Sequence, residues 1–168
     1  MYLPPQTNLY KNMKVLSIDP GYDRAGVAIL EKTANEEVLL FSSCIETLKT
    51  DSLNDRIFAI GIEVEKIIKE HSPDSLAIEK IFFNKNIKTA IGVAEVRGVL
   101  IYTAKKHNCK IFEFGPQEIK IAITGYGKSD KKAVFDMVKR LVKDTPDKAL
   151  DDEYDAIAIG VTCLAHYA

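Results

Sequence analysis

Short apolar runs and longer amphipathic stretches alternate along the chain, and their spacing predicts its strands. The first three runs cover residues 14–19, 25–30 and 37–45, and only short loops separate them. Three β-rich runs on short loops predict an antiparallel meander. Two further apolar runs, at 75–79 and 110–114, each follow a helical stretch. A strand, helix, strand order predicts a parallel crossover.

Apolar residues at helical spacing predict the helices. Residues 52–71 open with a capping box and repeat apolar residues every three or four positions. Residues 86–106 are apolar on nearly all sides, which predicts a helix buried against the sheet on one side and a partner on the other. Glycines predict a loop over 115–127. Residues 129–143 and 151–168 predict the last two helices.

This order of elements predicts an α/β fold. A mixed five-stranded sheet, with three antiparallel strands and then parallel strands, would carry helices on both faces. Residues 14–168 are expected to form one domain, because a chain of 168 residues is long enough for one substantial core. Residues 1–13 have no clear pattern and are expected to be a tail outside that domain.

The composition is that of an ordinary globular protein, with 46% hydrophobic and 28% charged residues. Three cysteines far apart in the chain fit reduced thiols better than a disulfide framework or a zinc site. No apolar run has membrane-spanning length. We therefore expect a cytoplasmic protein.

The net charge of −1 conceals a strong asymmetry along the chain. Residues 1–79 carry a net charge of −5, residues 80–143 carry +9, and residues 144–168 carry −5. A basic middle between acidic ends is typical of a protein that contacts a polyanion beside an acidic site. For any single lysine, simple solvation of a helix face is the alternative.

Four acidic residues stand where separate elements end or begin. Asp19 ends the first strand, Glu79 ends the fourth, and Asp152 and Asp155 share one face at the start of the last helix. Each acid alone also fits a structural role in a turn, a salt bridge or the first turn of a helix. Converging carboxylates, however, repel each other unless a cation neutralises them.

The chemistry of these four acids predicts the kind of cation. Carboxylate oxygens suit Mg²⁺ or Mn²⁺, and no nearby pairing of Cys and His favours zinc. Two divalent ions held by such a cluster are a known device for phosphodiester hydrolysis. Asp19, Glu79, Asp152 and Asp155 are thus the candidate catalytic and metal-binding residues.

Candidate nucleic-acid contacts follow the second acid. Phe82 and Lys85 lie in a polar, basic stretch, and an exposed aromatic side chain among lysines suits base stacking. Burial of Phe82 in the core is the alternative. Lys120 and Lys131 belong to a glycine-containing basic stretch whose backbone could approach phosphate, and each phosphate contact would make binding depend on salt.

Four ordered motifs carry a resemblance to a known family. They are Ser17-Ile18-Asp19-Pro20-Gly21, Ala77-Ile78-Glu79-Lys80-Ile81-Phe82, Ala94-Glu95-Val96-Arg97-Gly98-Val99 and Asp152-x-x-Asp155-Ala156-Ile157-Ala158-Ile159. From about Lys14 to its end, the chain resembles the RuvC family of Holliday junction resolvases, within the RNase H-like nuclease superfamily.

The resemblance implies a homodimeric, Mg²⁺-dependent endonuclease that makes paired nicks in four-way DNA junctions and leaves ligatable duplexes. It implies metal ligands at the four acids, base stacking by Phe82 near the junction centre, and phosphate contacts by Lys120 and Lys131. It also implies a dimer through the helix 86–106 and cooperation with a branch-migration complex of the RuvA and RuvB type.

Three other functions stay open on the sequence. A related nuclease of the YqgF type would keep the metal chemistry and process structured RNA. A catalytically silent DNA-binding module of the same fold is the second, and an actin-like ATPase fold is the third, although the chain is too short for its duplicated domain. Lys80 and the turn Tyr22-Asp23-Arg24 depart from the family pattern, which leaves the preferred cleavage sequence open.

Overall fold

The computed structural model describes residues 13–34, 36–81 and 87–166. The strands are β1 (Met13–Asp19), β2 (Arg24–Lys32), β3 (Glu37–Glu46), β4 (Ser75–Glu79) and β5 (Lys110–Phe114). The helices are α1 (Leu53–His71), α2 (Ile87–Lys106), α3 (Pro116–Thr124), α4 (Lys131–Leu141) and α5 (Asp151–Ala165). β1 thus begins one residue before the predicted strand, at Met13.

The strands form a single mixed sheet in the order β3-β2-β1-β4-β5. β1 pairs antiparallel with β2, and β2 pairs antiparallel with β3. β4 lies parallel to both β1 and β5. The predicted α/β fold, with three antiparallel strands followed by parallel ones, is confirmed. Because β1 and β4 are parallel neighbours, their carboxyl ends meet at one edge of the sheet.

Alternate side chains of the central strands enter two separate cores. Val15 and Leu30 belong to a core with α3, α4 and α5 on one face of the sheet. Leu16, Ile18 and Ile29 belong to a core with α1 and α2 on the other face. Each fully buried aliphatic side chain contributes about 1.5–3 kcal/mol by its removal from water. The period of two in the strands therefore distributes the helices over both faces.

The glycine-rich stretch predicted as a loop after β5 contains α3, so that prediction is wrong. Pro116 stands in the first turn of α3, where a missing N–H costs little. Gly125 ends the helix in the left-handed conformation, with φ of 76°. Ile119 and Ile123 lie one turn apart and are buried in the core. The glycines and the proline mark the ends of a short helix.

α2 has a buried face and an exposed face. Val96, Leu100 and Ala104 are buried in the core that α2 shares with α1. Ile91 and Tyr102 are 50% and 70% exposed. The helix thus packs inward as predicted and presents apolar side chains outward. Within the described part of the chain, no helix combines the length and the apolar character needed to cross a membrane.

Candidate active site

Asp19 and Glu79 lie side by side at the carboxyl edge of the sheet. β1 and β4 are paired in parallel with Ile18 opposite Ile78, and each acid is the next residue of its strand. Ile18 and Ile78 are fully buried, whereas both acids are half-buried. The strand pairing therefore holds two carboxyl groups at the margin of the core, where water screens them poorly.

Asp152 and Asp155 reach the same edge because α5 lies directly on β1 and β2. Gly26, which is opposite Asp19 in the pairing of β1 with β2, makes this approach possible. A Cβ atom added to Gly26 would lie 1.8 Å from the backbone oxygen of Asp152. The absence of a side chain at Gly26 thus admits the first turn of α5 to the ends of the strands.

The electrostatics of Asp19 indicate that the four acids converge. Burial, and after it the charges of Glu79, Asp155 and Asp152, together raise the pKa of Asp19 from an ordinary value of 3.8 to about 7. Lys131 opposes this effect. The Asp19 carboxyl therefore keeps its proton up to near neutral pH, because it is poorly hydrated and its neighbours are negatively charged.

The neighbouring acids show the same conflict. Burial raises the pKa of Glu79, Asp155 adds to the increase, and Arg97 opposes it. Burial also raises the pKa of Asp155, against a hydrogen bond from Lys131 that lowers it. The folded chain thus concentrates negative charge that its own cations compensate only in part.

Two cationic side chains lie against the acids of α5. Lys131 Nζ lies 3.0 Å from Asp155 Oδ2 and 3.3 Å from Asp151 Oδ2. Arg24 Nη2 lies 3.2 Å from Asp152 Oδ2, but the orientation is not that of a hydrogen bond. Asp152 Oδ2 is consequently a buried oxygen with an ion pair and no hydrogen-bond donor.

The donor set fits a hard divalent cation. Asp19, Glu79, Asp152 and Asp155 offer carboxylate oxygens, and Asp152 Oδ2 is buried without a hydrogen-bond donor. Burial raises the pKa of Asp19, Glu79 and Asp155, so added positive charge would favour their ionised form. In residues 13–34, 36–81 and 87–166, no three side chains of His, Cys, Asp or Glu stand ready in metal-binding geometry. Asp152 and Asp155 instead form ion pairs with Arg24 and Lys131.

Lys120 and Lys131 line a cleft of about 260 Å³ together with Glu79 and Asp155. Lys120 projects from α3 and Lys131 from the first turn of α4. Apolar side chains of α3, α4 and α5 form the rest of the wall. The cleft therefore combines two acids with two lysines, an arrangement that can receive a phosphate.

Lys80, the neighbour of Glu79, points to another partner. Its Nζ lies 3.2 Å from Glu118 Oε2, at the start of α3. Buried Arg97 supports the end of β4 instead: it donates one hydrogen bond to the backbone oxygen of Glu79 and another, of 3.0 Å, to Glu113 Oε1. Arg97 thus fixes the strand end that carries Glu79, and Lys80 leaves that acid accessible.

Sequence reasoning gave no role to three residues of this site: Arg24, Gly26 and Arg97. Their roles depend on contacts between elements distant in sequence, although Arg24 lies in a turn that departs from the family pattern. Phe82 and Lys85, the predicted DNA contacts after β4, lie outside the described residues.

We expect Asp19→Asn to stabilise the metal-free protein at pH 8, with a gain that shrinks as the pH is lowered to 5. The pKa of Asp19 is raised to about 7 in the folded chain, so the carboxyl contributes most stability at acid pH and loses it as the pH rises through 7. Three pKa units set a ceiling of about 4 kcal/mol, which solvent screening of a half-buried group reduces to about 1–2 kcal/mol. Thermal unfolding in EDTA measures the effect, and an equal gain at both pH values would contradict it.

Known relatives cover nearly the whole chain. The family model of crossover junction endodeoxyribonuclease RuvC matches residues 15–163. The RuvC of Thermosipho melanesiensis is 43% identical over 153 residues, which cover 91% of this chain and 97% of the relative. The RuvC of Alkaliphilus oremlandii is 40% identical over 154 residues, which cover 92% and 93%.

A solved structure has the same architecture. Thermus thermophilus RuvC in complex with a Holliday junction substrate matches with a TM-score of 0.86 and 25% identity, over 92% of this chain and 94% of that one. The sheet order and the helices on both faces agree with this match. The resemblance stated from the sequence motifs is confirmed: the chain belongs to the RuvC family of crossover junction endodeoxyribonucleases.

Proposed function

We propose that the protein is a metal-dependent endonuclease that resolves four-way DNA junctions by paired nicks during recombination and repair. The observation that supports this proposal is the grouping of four carboxylates at one sheet edge, where burial and then the charges of Glu79, Asp155 and Asp152 raise the pKa of Asp19 to about 7. Membership of the RuvC family supplies the junction as substrate. The relative from T. thermophilus was solved with a Holliday junction, which supports the same substrate here.

Asp19, Glu79, Asp152 and Asp155 would hold the divalent cation, with Mg²⁺ as the proposed ion, Mn²⁺ as a substitute, and two ions per site. Bound there, such ions supply an activated water and stabilise the leaving oxygen of an in-line displacement. Asp19 and Glu79 come from the rigid sheet, so they would fix the position of the ions. The acids of α5 complete the set because Gly26 admits that helix.

Lys120 and Lys131 would orient the strand to be cut. Both lysines share a cleft with Glu79 and Asp155, so a phosphate that approaches the acids passes within reach of two positive charges. Removal of solvent from this cleft strengthens each of these contacts. The lysines would thus offset the repulsion between an anionic strand and an anionic site.

Phe82 and Lys85 would act at the centre of the junction. They follow the end of β4 by three and six residues, so the chain leads from catalytic Glu79 straight into this segment. Aromatic rings stack on any base without sequence preference, and a nearby lysine would bind the phosphates of the DNA backbone. Both roles rest on the sequence pattern and the family resemblance.

We further propose a homodimer through the helix 86–106. Paired nicks on opposing strands need two active sites in a fixed relation, and α2 exposes the apolar side chains of Ile87, Ile91 and Tyr102. Sedimentation at micromolar concentration tests this, and a purely monomeric protein, with or without junction, would contradict it. Cooperation with a RuvA and RuvB type complex in the cytoplasm is proposed on the family resemblance.

One cleavage experiment tests the function. A four-way junction, duplex DNA, single-stranded DNA and structured RNA are each incubated with the protein in Mg²⁺ or in EDTA. We expect symmetric, ligatable nicks in the junction, dependent on Mg²⁺, with little cleavage of the other substrates. Preferred cleavage of RNA would favour the processing nuclease instead, and junction binding without any cleavage would favour a silent binding module.

A further inference from the structure

A second cleft, of about 510 Å³, opens beside the acids and shares Asp152 with the proposed metal site. It lies between the turn after β1, the end of β3 and the first turns of α2. Arg24, Lys49 and Asp152 are among the residues that line it. Asp152 therefore faces this cleft, while Asp155 faces the cleft of Lys120 and Lys131.

Arg24 is held over this cleft by charge alone. Its Nη2 lies 3.2 Å from Asp152 Oδ2, yet that buried oxygen receives no hydrogen bond. The Arg24 side chain is 46% exposed. Asp152 thus restrains the guanidinium without using its directional N–H groups, which a planar oxyanion or a phosphate would satisfy better.

The backbone that carries Arg24 is fixed before any ligand arrives. Thr47 Oγ1 donates to the backbone oxygen of Tyr22 at 2.6 Å, and the Thr47 N–H donates to that of Asp23 at 3.1 Å. Buried Arg56 donates to the Asp23 carboxylate and to Thr47 Oγ1. The backbone of the turn is therefore held in place, so only the Arg24 side chain has to move when it leaves Asp152 for another anion.

The charge balance of the cleft changes when a cation occupies the acids. Its charged lining residues are Asp23, Arg24, Glu46, Lys49 and Asp152. Asp23 is already neutralised by an arginine behind it. A bound cation neutralises Asp152. The positive charges of Arg24 and Lys49 are then balanced only by Glu46, and the cleft has one positive charge in excess. A surface whose charges balance without metal thus attracts a polyanion with metal.

We propose that Arg24 binds a backbone phosphate of the junction strand next to the acids, and that Asp152 restrains it until a divalent cation is bound. This proposal rests on the proposed junction-resolving function and adds a contact to it. When the Arg24 guanidinium moves from Asp152 to a DNA phosphate, it couples the binding of metal to the binding of DNA. Metal therefore strengthens DNA binding, and DNA strengthens metal binding by the same factor.

Junction binding by wild type and Arg24→Gln, measured over a series of salt concentrations in Ca²⁺ or in EDTA, tests this exchange. In Ca²⁺ we expect Arg24→Gln to weaken binding about 3–10-fold and to reduce the salt slope by about one. In EDTA the loss should be less than about twofold, because Asp152 already occupies the guanidinium. Arg24→Lys should keep the salt slope. Lys66→Gln, which removes a charge near the far end of α1, should match wild type.

Two further measurements separate exchange from a simple surface charge. Arg24→Gln should bind Mn²⁺ about threefold more tightly than wild type in calorimetry without DNA, because the guanidinium that competes with Mn²⁺ for Asp152 has been removed. In an Asp152→Asn background, Arg24→Gln should weaken junction binding in EDTA as it does in Ca²⁺. Equal losses in Ca²⁺ and EDTA, or an unchanged Mn²⁺ affinity, would overturn the proposal. If wild type itself prefers duplex to junction in Ca²⁺, the proposed function fails as well.

Discussion

Asp19→Asn and Glu79→Gln are each expected to lower the rate of junction cleavage by about 10³-fold or more while the junction stays bound. Both changes keep the size of the side chain and remove one anionic oxygen ligand from the strand ends that carry the site. The cation would lose a ligand that no neighbouring group replaces. DNA affinity should hold or rise, because each change removes a negative charge from the path of the strand.

Single-turnover cleavage in Mg²⁺ and gel-shift binding in Ca²⁺ separate the two effects. Glu63→Gln is the matched control, because Glu63 is an exposed residue of α1 that pairs only locally with Lys66. It should cleave like wild type. Persistent cleavage by both purified variants of the site would refute the assignment of these acids. Loss of binding together with cleavage would point to a damaged fold, which thermal unfolding would reveal.

The acids proposed to serve cleavage also weaken the metal-free fold. Asp19 is half-buried beside three other carboxyl groups, and burial and then their charges raise its pKa, so its ionised form destabilises the folded chain. Arg24 and Lys131 recover part of that cost through their ion pairs with the acids of α5. A bound cation would recover more of it, so the melting temperature should rise when metal is added.

The sheet edge could be predicted from the sequence, whereas the contacts that complete the site could not. The antiparallel meander makes the third strand parallel to the first, and the helical crossover makes the fourth parallel to the third. The strands that end in Asp19 and Glu79 therefore run in the same direction and bring both acids to one edge. The spacing of Asp152 and Asp155 also predicts their shared helix face. These inferences use only local pattern and topology, so they do not depend on where distant side chains meet.

The missing parts of the prediction have particular physical reasons. From the sequence, a glycine such as Gly26 indicates only a position that weakens a strand. The structure shows that its missing side chain leaves room for the backbone of α5. α3 has only nine residues, beginning at a proline and followed by a glycine, and such a short helix depends on burial of Ile119 and Ile123. The pair of Arg24 with Asp152 joins residues far apart in the chain, which no periodicity can reveal.

Gly26→Ala is expected to displace the first turn of α5 and so to damage stability and cleavage together. The added Cβ would lie 1.8 Å from the backbone oxygen of Asp152, so backbone rather than a flexible side chain must move. Overpacking of this kind costs about 1–3 kcal/mol of unfolding free energy. A shift of about 1 Å in Asp152 and Asp155 should also lower cleavage about 10²-fold. Urea unfolding and cleavage assays well below the unfolding temperature measure the two effects separately.

Gly98→Ala is the matched control for this change. A Cβ atom at Gly98 would meet nothing within 4 Å, and alanine favours the interior of a helix such as α2 by up to about 1 kcal/mol. The control should therefore be neutral or stabilising in urea unfolding at the same protein concentration. Wild-type stability and cleavage in Gly26→Ala would mean that α5 can occupy another position without loss. The close approach of α5 to β2 would then not be what brings Asp152 and Asp155 to the strand ends.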